Sequence, residues 1–370
     1  MTNEKFYQIA VTEIPGIGHY LTKQLISYCG SPEAVFKETK GKLLRIPGVG
    51  EKSAQAIVDS KPVFQKAEQL YKKAVQLNTD ILFYTDDAYP KPLKILDDAP
   101  CILYYKGNTD LNHNRMISIV GTRNATNYGI KTTQKLVEEL SSYNVCIVSG
   151  LAYGIDIAAH KAALKHNIPT IGVMANGIDM VYPSVHRATA HKMTECGGLL
   201  SENTFGKKPD APQFPMRNRI IAGMTAGTIV VEAAAKGGAL ITAHLANDYG
   251  REVMAVPGNI NQHYSAGCNH LIKNHQAHLI FNGDDIAGLL NWDVGQSGIA
   301  PKANFDQLLE NFSDHEKKVV LALCDYESLS MDAISRITRF SVNELASVLL
   351  NLEFQGHVKL LPGKAYKLSI

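Results

Sequence analysis

From residue 113 onward, short continuous apolar runs alternate with stretches of helical periodicity, and this alternation constrains the fold more than any other feature of the chain. The apolar runs fall at 116–120, 145–148, 170–174, 198–200, 228–231, 252–256 and 278–281. They show no polar alternation, which is how strands read when helices cover both faces of a sheet. Helical periodicity occupies 128–140, 155–165, 218–224, 239–248 and 269–273. Strands that alternate with helices build a parallel sheet, because each crossover helix carries the chain back to start the next strand in the same direction. The expected class is α/β, a doubly wound Rossmann-like sheet. Several strands run into loops bearing glycine or a polar group: Gly121-Thr122-Arg123, Ser149-Gly150-Leu151-Ala152-Tyr153-Gly154, Asn176-Gly177, Lys236-Gly237-Gly238 and Pro257-Gly258. In such a sheet these loops gather at the carboxyl ends of the strands, where ligands bind.

No loop is a Walker sequence and none follows G-x-G-x-x-G closely, so neither a dinucleotide nor a triphosphate is indicated. Single-glycine turns are instead accompanied by Arg123, Lys161, Lys207, Lys208, Arg217, Arg219 and Lys236. Several separated phosphate contacts suit a strand of nucleic acid better than one compact diphosphate. The densest segment is Phe214-Pro215-Met216-Arg217-Asn218-Arg219, just ahead of the apolar helical run 220–224. Guanidinium forks match phosphate oxygens, and an exposed ring matches a nucleobase face. In a buried strand Arg217 and Arg219 would share one face and need two counter-charges, which the neighbouring sequence lacks. A polyanionic partner is the simpler reading; the alternative is a solvated helix start with Phe214 as a core anchor. Tyr153 reads equally as a stacking ring, worth ~1–3 kcal/mol if engaged, or as a cover for its own loop.

The two ends differ from this centre. Ile14-Pro15-Gly16-Ile17-Gly18 and Ile46-Pro47-Gly48-Val49-Gly50 lie 32 residues apart, each followed by a helical pattern with apolar Leu21, Leu25, Ile26 and Ala54, Ile57, Val58. Each reads as a tight glycine hairpin feeding a helix, so residues 1–75 are expected to form a tandem helix-hairpin-helix, a SAM-like helical domain. Its hairpins present backbone N–H groups suited to a phosphate, with Lys23, Lys52 and Lys61 adding charge, or serve only as a packing module. Residues 1–75 hold eleven basic and seven acidic side chains, a net +4. A linker is expected at 291–304. Beyond it, helical patterns at 316–323, 331–337 and 343–354 precede two strand patterns, 358–361 and 365–368, joined by a Pro362-Gly363 turn. This makes a winged-helix-like domain over 305–370. Its third helix carries Glu344 and Glu353 and no Lys or Arg, which favours protein contact or self-association over reading a major groove.

At 370 residues the chain accommodates two or three domains, and its net charge of +2 does not by itself advertise nucleic acid. Six scattered cysteines without a C-x-x-C pair argue for a reducing compartment and against a zinc site. No signal-peptide pattern opens the chain and no apolar run approaches the ~20 residues that span a bilayer, so a cytoplasmic protein without membrane contact is expected. Asp156 and His160, four apart on a helix, read as support for the Ser149-Gly150 loop, since no further metal ligand accompanies them. Glu232 at a strand end reads as a brace for the loop before Gly237, with a general base as the alternative. Ser149 lacks the G-x-S-x-G elbow of a nucleophile. No catalytic residue, metal or cofactor is expected.

The ordered motifs carry a resemblance. Tyr89-Pro90-Lys91-Pro92-Leu93, Ile119-Val120-Gly121-Thr122-Arg123, Val148-Ser149-Gly150-Leu151-Ala152-Tyr153-Gly154-Ile155-Asp156, Gly177-Ile178-Asp179 with Tyr182-Pro183, Leu200-Ser201-Glu202, the Phe214–Arg219 segment, Val231-Glu232-Ala233, Gly238-Ala239-Leu240-Ile241-Thr242 and Val256-Pro257-Gly258 together resemble the DNA-processing protein A (DprA/Smf) family. The resemblance implies an extended Rossmann domain over 76–290 that binds single-stranded DNA and forms a homodimer. It also implies loading of the RecA recombinase, against single-strand-binding protein, onto DNA taken up in natural transformation. Carried onto this sequence, the resemblance implies a phosphate pocket of Arg123, the Gly150 loop, Arg217, Arg219 and the Gly237-Gly238 turn, with Phe214 nearest a base; together with the residues read above, the expected site comprises Gly121, Thr122, Arg123, Ser149, Gly150, Tyr153, Lys161, Lys207, Lys208, Phe214, Arg217, Asn218, Arg219, Lys236, Gly237 and Gly238. Asn203-Thr204, His186 and Gly237 depart from the usual pattern, where an aromatic with proline, an asparagine and a serine are common. Two other functions fit the residues: a Rossmann-type nucleoside-monophosphate hydrolase using Glu232, and a duplex-DNA repair or architectural protein working through the two ends.

Overall fold

The computed structural model describes residues 3–292, 312–324, 329–361 and 365–368. Met1–Gly295 forms one compact unit and Gln296–Ile370 a second. In the first unit the central apolar runs become strands of one sheet, largely buried except for the last, His278–Leu279, and two further strands precede them. They are β1 (Asp80–Phe83), β2 (Ile102–Gly107), β3 (Met116–Val120), β4 (Cys146–Gly150), β5 (Thr170–Met174), β6 (Gly197–Ser201), β7 (Gly227–Val230), β8 (Glu252–Ala255) and β9 (His278–Leu279). They form one sheet in the order β1-β2-β6-β5-β4-β3-β7-β8-β9, with β1–β2 and β2–β6 antiparallel and all other pairs parallel.

Strand β3 shows why the runs are continuously apolar. Met116 and Val120 point into a core shared with the helices Gln213–Gly223 and Gly238–Asp248, while Ile117 and Ile119 point into the core under the helices Asn127–Leu140 and Ile155–Lys165. The chain steps outward from β3 to β6, then returns to place β7 on the opposite side of β3, so the strand order reverses between β3 and β7. Sequence alternation does not reveal β1 and β2, because they join the sheet antiparallel, without crossover helices. The helix expected at 218–224 begins earlier, at Gln213, and takes in Phe214 and Pro215. Proline is tolerated there because first-turn N–H groups have no acceptor within the helix.

The N-terminal repeat folds with reciprocal packing. A Cβ at Gly48 (φ +83°) would lie 2.6 Å from Leu21, and one at Gly16 (φ +76°) would lie 3.3 Å from Ser53, the residue 32 positions after Leu21. Each hairpin thus seats on the helix that follows the other. Leu25, Ile26, Ala54 and Ile57 are buried as the periodicity requires, whereas Val58 is exposed. The repeat then docks on the sheet: one apolar cluster runs from Ile9, Leu25 and Ile57 to Ile81, Phe83, Leu151 and Met174. Lys5 pairs with Asp86 at 2.6 Å and Lys73 with Asp179 at 2.6 Å.

The second unit carries the helices Asp314–Cys324, Met331–Thr338 and Val342–Phe354 around Val320, Ile334, Leu345 and Leu349. A third strand, Leu329–Ser330, pairs with Ala365–Leu368 and extends the expected hairpin with Val358–Leu361. The Pro362-Gly363 turn and all but the first two residues of 291–304 lie outside the described residues. No helix among the described residues is long and apolar enough to cross a membrane.

Gly154 joins the loop after β4 to its helix at φ +79°, ψ −124°, and a Cβ there would meet the Thr122 carbonyl oxygen at 2.1 Å. Gly154→Ala is therefore expected to cost about 2 kcal/mol or more, read as a lowered urea midpoint at unchanged slope; an unchanged midpoint would contradict this packing.

Candidate nucleic-acid interface

The loops at the carboxyl ends of β3, β4 and β5 are tied together by backbone and by buried side chains. Thr122 N–H donates to the Glu232 carbonyl at 2.8 Å, and the Thr122 carbonyl accepts from Ile155 N–H at 3.2 Å. Ser149 is fully buried and its hydroxyl donates to the Ile119 carbonyl at 2.6 Å, so it locks β4 to β3 and is not available to DNA, contrary to the sequence expectation. His160, also fully buried, faces the Gly150 carbonyl through Nε2 at 2.7 Å and the Thr170 hydroxyl through Nδ1 at 2.7 Å. A carbonyl only accepts, so Nε2 carries the hydrogen. Burial drives the His160 pKa down to about 4. Asp156 accepts from Ala152 N–H at 3.4 Å, and burial pushes its pKa up despite the opposing Arg217 charge. The pair thus supports the loop.

Arg217 and Arg219 are 6 % and 4 % exposed, so neither guanidinium stands free on the surface. On a helix, residues two apart lie about 200° apart around the axis, so the two guanidiniums leave on opposite sides and each meets its own counter-charge. Arg217 lies over Gly150, where a Cβ would come within 2.6 Å of its terminal nitrogens, and Asp156 is brought to the same spot. It donates to the Val173 carbonyl, and its Nε donates to Asn218 Oδ1 at 3.1 Å. Burial lowers the Arg217 pKa, with Asp156 opposing the shift. Arg219 points the other way, pairing with Glu202 and the Asp98 carbonyl. Both counter-charges come from distant sequence, which is why inspection of the neighbouring residues missed them.

What remains exposed is a cleft rimmed by aromatic rings. The exposed Arg123 guanidinium sits 5.1 Å from the centre of the Phe214 ring, and the Tyr182 ring lies 6.1 Å from Phe214. Tyr153 is 52 % exposed and is braced edge-on by His186 at 5.1 Å. These residues, with Asn176, Pro183 and Arg217, enclose about 50 Å³. Tyr182, 49 % exposed, was not singled out as a site residue; its position between a glycine loop and the Phe214 segment was the signal.

The remaining expected residues do not converge on this cleft. Lys161 lines a separate hollow with Lys165 and Lys192. Lys207 and Lys208 sit exposed in the loop after β6, where the Lys207 carbonyl accepts from Gly177 N–H at 2.9 Å. Gly121 is packed against Ile155. Asn218 is buried and donates to the Gly238 carbonyl at 3.3 Å, whereas Lys236, Gly237 and Gly238 form an exposed turn with open space where Cβ atoms would project from the two glycines.

Residues 80–291 match the family model for DNA recombination-mediator protein A, which is more than half of the chain. The chain belongs to the DNA recombination-mediator protein A family. Residues 306–364 match the DprA winged helix domain and residues 9–60 the SAM-like helix-hairpin-helix tandem. Protein Smf of Synechocystis is 31 % identical over 99 % of both chains, and the DNA processing protein DprA of Streptococcus pneumoniae is 42 % identical over 54 % of this chain and 71 % of its own. The X-ray structure of the latter superposes with a TM-score of 0.67 at 33 % identity, covering 80 % of this chain and 99 % of that one. DNA processing protein A from Helicobacter pylori, described for its single-stranded DNA binding mode, gives 0.53 at 31 %, over 58 % and 97 %. His186 meets Tyr153 edge-on, with its Nε2 buried and without a hydrogen-bond partner among the described residues. The loop carrying Asn203-Thr204 is pinned by Asp179, which accepts from Gly206 N–H at 2.9 Å.

Two outcomes follow from the buried charges. The unfolded His160 ring takes a proton near pH 6.5 and the folded ring only near 4, so the unfolded state binds more protons between these values. Stability is therefore undiminished above about pH 6.5 and falls, by an amount on the order of 3 kcal/mol, as pH drops toward 4; urea midpoints across this range should fall less steeply in His160→Asn. Arg217→Ala leaves Asp156 buried and uncompensated, a loss of about 3–5 kcal/mol, whereas Arg123→Ala on the surface should change stability by less than about 0.5 kcal/mol. Equal midpoints for the two variants would refute the buried role.

Proposed function

We propose that the protein is a non-enzymatic recombination mediator that binds single-stranded DNA at the Arg123–Phe214–Tyr182 cleft, protects incoming DNA and loads RecA onto it during natural transformation, acting as a homodimer through its Rossmann domain. The observation that carries this reading is the exposed Arg123 guanidinium laid against the Phe214 ring, with Tyr182 beside it and the Arg217 charge beneath. A free guanidinium edge meets phosphate while rings stack on bases, which binds a single strand with little regard to sequence. Membership of the family and the single-strand binding described for the Helicobacter pylori protein support it. Against the hydrolase alternative, Glu232 serves as a brace: its carboxylate accepts from the Thr126 N–H at 2.9 Å and from the Thr126 hydroxyl at 2.5 Å. The duplex alternative is weakened at the first hairpin. There His19 Nδ1 accepts from Cys101 N–H at 3.2 Å, and Lys23 donates to the Leu96 carbonyl at 3.3 Å, so both face the sheet domain.

Anisotropy titration of a fluorescent oligothymidylate and a matched duplex tests the reading. Preference for the single strand is expected, with a log–log salt slope of about −0.7 per phosphate contact. Arg123→Ala should weaken binding to all sequences alike, and Phe214→Ala should weaken it by ~1–3 kcal/mol. RecA filament formation on strands coated with single-strand-binding protein should then depend on Arg123. Duplex preference, or full binding by Arg123→Ala, would sink the proposal.

A further inference from the structure

A larger cavity, about 480 Å³, opens at the carboxyl ends of β3, β7 and β8, where the strand order reverses. Crevices at this point of a doubly wound sheet are the general place for ligands. Its walls come from Thr126 and Tyr128 after β3, from Glu232 just beyond β7, and from Asn259, Gln262 and Tyr264 after β8. Cross-links between these loops hold the opening. Asn124 Nδ2 donates to the Tyr264 hydroxyl at 3.1 Å, the Tyr128 hydroxyl donates to the Pro257 carbonyl at 2.8 Å, and Ala233 N–H donates to the Tyr264 carbonyl at 2.7 Å. Asn269 clamps Gly258 by accepting from its N–H at 3.1 Å and donating to its carbonyl at 2.9 Å.

The lining chemistry selects the ligand. No Lys or Arg lines the cavity, so a phosphate has no counter-charge there. Glu232 uses one acceptor position on each oxygen for Thr126, and a carboxylate has about four such positions. An apolar ligand would leave this carboxylate and the two amides unmatched, whereas a polar ring with hydrogen-bond donors matches them. Guanine offers two adjacent donors, N1–H and the N2 amino group, to a pair of carboxylate oxygens. Thr126 lies three residues from Arg123 on one loop, at most ~11 Å along the chain, close enough for one strand to serve both places.

We propose that this cavity holds a nucleobase of the bound single strand, guanine before the others. The inference rests on the strand-binding reading above, and it adds a base-selective pocket beside a sequence-tolerant cleft. The test uses the full chain and three fluorescent oligonucleotides of equal length: oligothymidylate, the same with isolated guanines, and the same with hypoxanthine in place of guanine, which lacks the amino donor. Guanine is expected to tighten binding about tenfold, within the range of a two-donor base contact, and hypoxanthine less. Glu232→Gln removes acceptor capacity, and Asn259→Trp, at an exposed position, fills the cavity. Both should abolish the guanine preference and retain oligothymidylate binding, while Arg123→Ala weakens all three oligonucleotides together. Equal affinity of the wild type for the three would overturn this inference and leave the strand reading intact, as would a guanine preference that survives Asn259→Trp. Failure to bind oligothymidylate at all would overturn both.

Discussion

The buried guanidinium of Arg217 is the constraint around which the interface is arranged. A charge held away from water must be met by a counter-charge and acceptors, and here these are Asp156, the Val173 carbonyl and Asn218. Meeting them draws the ends of β4 and β5 and the helix Gln213–Gly223 to one point. It also leaves no room for a side chain at position 150. Phe214 precedes Arg217 by three residues, so both lie on one helix face. The same packing that buries the cation lifts the ring to the rim, beside Arg123.

Arg219 extends the arrangement to the N-terminal domain. Its partner Glu202 also receives His19 Nε2 at 3.2 Å, so one carboxylate neutralises the sheet-domain arginine and anchors the first hairpin. The two hairpins are close to interchangeable in sequence, and their mutual packing is nearly symmetric. Docking breaks that symmetry. The first presents His19 and Lys23 to the sheet domain, while their counterparts in the second, Glu51 and Gln55, face solvent. Equal local sequences have thus acquired unequal surroundings.

The strands β3 to β8 were legible because burial on both faces leaves an unbroken apolar run, and the helices between them because each covers only one side of the sheet. Arg123 and the Gly150 loop were legible as strand-end turns because glycine punctuates them, and the structure brings Phe214 to Arg123. Ser149 misled because a hydroxyl beside a glycine looks the same whether it faces a ligand or, as here, the Ile119 carbonyl. Lys161, Lys207 and Lys208 stand outside the Arg123–Phe214 cleft, which the sequence did not reveal because charge in a sequence carries no direction. Tyr182 was passed over because its value lies in its distance from Phe214, a residue far along the chain.

Local pattern determined the α/β class, the hairpin repeat, the helices of the C-terminal domain and the kinds of residue at the strand ends, since these depend on periodicity and on turn chemistry within a few positions. Tertiary structure alone decided which of two neighbouring arginines meets Asp156 and which meets Glu202, which hairpin docks, and that a second cavity stands open between the loops of β3, β7 and β8. Those outcomes rest on contacts between residues distant in the chain, and such contacts are set only when helices and sheet pack and exclude water.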